Sequence, residues 1–96
     1  MEKRLYLILK KDPFDRILDG TKTIEYRDKS DFWKVRLENK QWDTILFRHG
    51  YRKDARKMLV EYKGMDITDR YEIKLGSILY VTIGDIVDQK TEMVQV

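Results

Sequence analysis

The chain of 96 residues carries 20 Lys and Arg against 17 Asp and Glu, giving a net charge of only +3, and it contains no cysteine. Its length allows one domain, residues 1–96, and the missing thiols exclude a disulfide framework, a thiolate metal site and a cysteine nucleophile. No apolar run resembles a signal peptide or reaches the length of a bilayer span, so a cytoplasmic protein without a membrane partner is expected.

Arg4 to Lys10 is a short apolar run with Leu5, Leu7 and Leu9 on one face, which predicts a largely buried strand. Asp12-Pro13-Phe14-Asp15 opens a helix: Asp12 is placed to cap free amides, and Pro13 suits the first helical position. Phe14, Ile17 and Leu18 share its apolar face, and Gly20 ends it. Thr21 to Arg27 then reads as a strand, with Thr23, Glu25 and Arg27 on a polar face and Ile24 and Tyr26 towards the core.

For Asp28 to Gln41 two readings stand, a short helix capped by Ser30 or an irregular loop anchored by Phe32 and Trp33. Trp42 to Arg48 and Arg56 to Lys63 predict two further strands, the second with Met58, Val60 and Tyr62 alternating. Lys63 to Asp66 is expected to turn. Tyr71 to Leu75 and Ile78 to Val87 are strand-like, with Gly76 and Gly84 as bulge or bend positions, and the tail from Asp88 is expected to be partly loose. The expected class is α+β, mainly β: a small barrel of five to six strands with one well-formed helix.

Two stretches concentrate the polar chemistry. In Gly20-Thr21-Lys22-Thr23-Ile24-Glu25-Tyr26-Arg27, the cations and hydroxyls suit a phosphate or a base edge held by charge-assisted hydrogen bonds. The alternative is a solvated strand edge with Glu25 and Arg27 paired across it. Glu25 either orients the two cations, accepts from a base, or acts as a general base if burial raises its pKa. From Arg48 to Lys57 lie five cations and one anion, so the excess positive charge of the chain sits in that segment. Arg48, Arg52 and their neighbours interleave with Tyr51, a pattern that neutralises phosphate and stacks a base, although charge runs are also found on plain solvated hairpins. His49 is the only histidine and has no ligand cluster around it, so neither a metal nor another cofactor is expected. Trp33 and Trp42 read as packing or lid residues. No Ser/His/Asp constellation, P-loop or dinucleotide fingerprint is present.

The chain resembles the ASCH domain family of the PUA-like superfamily. The resemblance rests on Leu9-Lys10 with Pro13-Phe14 and Ile17, on Gly20-x-Lys22-Thr23-x-Glu25-x-Arg27, on Ser30-x-x-Trp33-x-x-Arg36-Leu37, and on Phe47-x-x-Gly50-Tyr51. It covers about residues 5 to 87. It implies a PUA-like barrel whose cleft, lined by the Gly-x-Lys-Thr run, faces nucleic acid or a nucleotide-sized ligand. In the family's pattern the position of His49 is often Asn, which implies a hydrogen-bonding pocket residue.

One bacterial branch of the family hydrolyses N4-acetylcytidine with a Lys of that run, a Thr two residues beyond the run's Thr, and a Glu from a later helical insertion. Lys22 matches the first of these. Glu25 stands where the branch has its Thr, and Tyr62 to Tyr71 reads as a simple turn without the insertion. The resemblance therefore implies an RNA- or nucleotide-binding domain. Lys22, Thr23, Glu25, Arg27, Arg48, His49, Tyr51 and Arg52 are its expected ligand contacts, and Lys10 and Arg36 its outer basic contacts. The alternative is a small hydrolase acting on a modified nucleoside or on RNA, with Lys22 and Glu25 as its catalytic pair.

Overall fold

A computed structural model describes residues 1–83 and 92–94. The elements run β1 (Arg4–Leu9), α1 (Lys11–Leu18), β2 (Ile24–Arg27), α2 (Asp31–Leu37), β3 (Thr44–His49), β4 (Lys57–Ile67), β5 (Tyr71–Ile83) and β6 (Glu92–Val94). The strands form one curled sheet in the order β1-β3-β4-β5-β2, with β6 added on β5. The β1–β3 pair is parallel and all the others are antiparallel. The mainly β class follows directly, in the form of a half-barrel whose free edges are β1 and β2.

Alternation builds the core. Leu5, Leu7 and Leu9 of β1 and Ile45 and Phe47 of β3 point inward, and Met58, Val60, Tyr71 and Ile73 continue the layer on β4 and β5. Phe14 and Ile17 of α1 and Leu37 of α2 close over it. Each such side chain contributes about 1.5–3 kcal/mol by leaving water. Tyr71 keeps its hydroxyl satisfied at this depth by donating to Glu38, 2.6 Å away.

The long β4–β5 hairpin does not stay in register. Lys63 and Gly64 face Lys74, Glu61 faces Gly76 and Ser77, and Leu79 is the extra residue between the Val60–Ile78 and Leu59–Tyr80 pairs. These bulges bend the hairpin enough to curl the sheet. Gly64 has φ +119, a conformation that side chains rarely adopt.

Several expectations are corrected. The stretch Lys63 to Asp66 is strand interior, because the Gly64 bulge absorbs the irregularity; the chain reverses at residues 68–70. Asp12 does not cap α1: the helix starts two residues earlier with Lys10 at the cap, and Pro13 lies third, where its missing N–H is still harmless. Of the two readings of Asp28 to Gln41 the helix holds and the loop does not: α2 is capped by Ser30, whose Oγ accepts the Trp33 amide at 3.3 Å, and it makes a second helix where one was expected. β2 begins at Ile24, and its faces are reversed: Glu25 is 6% exposed, whereas Tyr26 is 37% exposed. The carboxylate can occupy the inner face because two cations neutralise it there, and Tyr26 turns outward beneath Lys22 and Arg70. The bulge at Gly76 is as expected; Gly84 and residues 88–91 lie outside the described residues.

Candidate functional site

A cavity of about 770 Å³ opens where the two free edges of the sheet approach each other. Ile8 and Leu9 of β1 and Trp33 of α2 give it an apolar surface. Tyr6, Phe32 and Tyr51 add rings at its margin, with Tyr6 66% and Tyr51 84% exposed. Lys10, Lys11 and Arg27 supply the positive charge, and His49 and Gly50 complete the wall. Among the described residues no carboxylate belongs to this lining.

Arg27 closes the gap between the edges. From the end of β2 its guanidinium donates to the Ile8 carbonyl of β1 at 3.1 Å and pairs with Glu25 at 2.8 Å. It also lies over the Trp33 ring, 5.0 Å from the centroid. The second oxygen of Glu25 faces Lys22 Nζ at 3.4 Å. One buried carboxylate thus holds two cations, and one of them fixes both the opposite edge strand and an aromatic wall. Lys22 and Glu25 stand behind this wall and do not line the cavity. Thr23 is exposed and contributes its carbonyl to the Leu75 amide at 3.0 Å.

The basic segment is arranged differently. Arg48 is half-buried and turns back on its own loop, donating through Nη2 to the Tyr51 carbonyl at 3.2 Å and to the Arg52 carbonyl. Its buried Nε–H has no acceptor among the described residues. The loop is tied to β1 by the Gly50 amide, which donates to the Leu9 carbonyl at 3.0 Å. These bonds set Tyr51 and His49 against the cavity. Arg52 is exposed and pairs with Asp54 at 3.1 Å.

Arg56 reaches α1, pairing with Asp15 at 2.7 Å above the Phe14 ring, and lies 3.4 Å from His49 Nδ1. With the guanidinium donating, a neutral His49 keeps its proton on Nε2. Asp15 is pulled down to about 2 by hydrogen bonds from Lys11 and Arg56, so the pair is charged over the ordinary pH range. Arg36 stacks on Phe32 at 3.5 Å from its centroid, beside the cavity and not in it.

Of the expected contacts, the structure therefore gathers Arg27, His49, Tyr51 and Lys10 at one cavity. Tyr6, Ile8, Lys11 and Phe32 also line it and were not singled out. The alternation of β1 gave a signal for Tyr6 and Ile8, since both fall opposite its leucines. Trp33, read as packing or lid, is a cavity wall. No three metal-ligating side chains cluster among the described residues, and none of their helices is long and apolar enough to cross a membrane.

Comparison of the chain with protein-family models, with curated proteins and with solved structures finds no match.

Proposed function

We propose that the cavity binds one nucleotide of RNA, or a nucleotide-like small molecule, with its base among the rings and its phosphate on the lysines. The observation that carries this reading is the make-up of the lining: an aromatic and apolar surface with Lys10, Lys11 and Arg27 at its margin and, among the described residues, no carboxylate. A volume of about 770 Å³ falls in the range of small-molecule sites. Stacking on Trp33 or Tyr51 is tolerant of base identity, whereas Lys10 and Lys11 recognise phosphate as point charges. The resemblance to the ASCH family supports the same ligand class, and the role fits a cytoplasmic protein. Nothing favours the hydrolase alternative, because Glu25 is held between Lys22 and Arg27 away from the cavity.

Calorimetric titration with nucleoside 5′-monophosphates and short single-stranded RNA tests the proposal. Saturable binding is expected, weakened about tenfold or more in Trp33→Ala, as loss of one stacked base predicts. Lys10→Ala combined with Lys11→Ala is expected to flatten the salt dependence. Absence of binding, or an affinity indifferent to Trp33→Ala, would overturn it.

A further inference from the structure

We propose that a groove adjoining the cavity is a second nucleotide subsite, so that the ligand is a single strand of RNA at least two nucleotides long. The inference rests on the nucleotide reading of the cavity and extends it.

The groove, of about 380 Å³, lies on the outer face of the sheet along β1, β3 and the start of β4. Tyr6 and Ile8 line both concavities. The register explains the groove's shape: Tyr6 sits beside Leu46, and Ile8, Arg48 and Lys57 form one row across three strands. Leu46 gives the floor, Tyr6 and Ile8 the wall shared with the cavity, and Arg48 and Lys57 the opposite, cationic side. Two strand spacings separate Ile8 from Lys57, about 10 Å, which is the width of a base and its sugar-phosphate.

The two cations are not equivalent. Arg48 is committed to the carbonyls of Tyr51 and Arg52, so it adds a fixed positive field. Lys57 has no ion pair among the described residues, and its ammonium is available to a phosphate. Among the described residues no carboxylate lines the groove. An apolar floor bordered by positive charge, continuous with a cavity of the same character, suits the next nucleotide of the same strand. Tyr6 stands between the two concavities, and its exposed ring has two faces. It separates two successive bases and stacks on both.

Titrating the intact chain with uridine 5′-monophosphate and with the 5′-phosphorylated dinucleotide pUpU and tetrauridylate tests this directly. The dinucleotide is expected to bind at least tenfold more tightly than the monophosphate. Lys57→Ala is expected to remove most of that gain while leaving monophosphate affinity within about twofold, and Tyr6→Ala, a change at an exposed position, is expected to weaken both ligands. Circular dichroism of each variant checks that the sheet persists. A dinucleotide no tighter than the monophosphate, or a gain that survives both substitutions, would overturn the second subsite and leave the cavity reading intact. Failure of all three ligands to bind would overturn both.

Discussion

In residues 20–27 two cations converge on one buried carboxylate, whereas in residues 48–57 the cations diverge. Arg48 turns inward to backbone carbonyls, Arg52 outward to Asp54, and Arg56 across to Asp15 on α1. The convergent group works as a clasp, tying β2 to β1 through Arg27. The divergent group works as a scaffold, shaping a loop that sets Tyr51 and His49 against the cavity. Both regions look like ligand sites from their composition. What separates composition from contact is that most of these cations already have a protein partner, and of them only Arg27, itself held by Glu25, reaches the cavity lining.

The comparison breaks most sharply at Glu25. Removing it leaves Lys22 and Arg27 without an ion-pair partner among the described residues, at side chains only 16% and 19% exposed. Glu25→Ala is expected to lower stability by about 2–4 kcal/mol, read from urea midpoints, because breaking one side of a buried pair strands the other charges. A residue acting only as a catalytic base would leave the midpoint unchanged. In the divergent region the effects should split. Arg48→Ala removes two bonds to the loop and is expected to cost about 1–3 kcal/mol, whereas Arg52→Ala, whose pair is exposed, should stay within about 0.5 kcal/mol. Equal losses at both positions would mean that the loop has no anchor at Arg48.

These differences mark where the sequence was legible. The leucine alternation of β1, the Ser30 cap and the Gly76 bulge were readable because each is a local rule obeyed locally. The faces of β2 were not. A strand with Ile24 and Tyr26 alternating against charged residues reads apolar-in, and only the neutralisation of Glu25 by Lys22 and Arg27 reverses it. The strand through Lys63 to Asp66 was hidden for a similar reason: a glycine between polar residues signals a turn, and the partner strand that makes it a bulge lies ten residues away. At the site, residue types marked only part of the cavity lining, because direction is set by long-range pairing. Arg27 joins the cavity because β1 is opposite it, and Tyr6 because β1 is a sheet edge.

The smallest effect concerns Asp15, the anchor of Arg56. Its carboxyl is lowered from 3.8 to about 2 by hydrogen bonds from Lys11 and Arg56. A folded-state value below the unfolded one contributes stability that is complete above about pH 3.8 and is lost as the pH falls towards 2. Asp15→Asn should therefore be slightly less stable than the parent near neutrality and equal to it at about pH 2. Midpoints that stay parallel across that range would show that the Asp15–Arg56 pair adds nothing.

The central claim is that the cavity walled by Trp33 holds the base. The chain's two tryptophans make this measurable, because Trp33 lines the cavity and Trp42 lies outside it, its Nε1 donating to the Arg36 carbonyl at 3.0 Å. In a Trp42→Phe chain, fluorescence titration with uridine 5′-monophosphate reports on Trp33 alone. The account predicts saturable quenching that is absent from the Trp33→Phe chain. Binding seen by calorimetry with Trp33 emission unchanged, or quenching carried by Trp42, would contradict it.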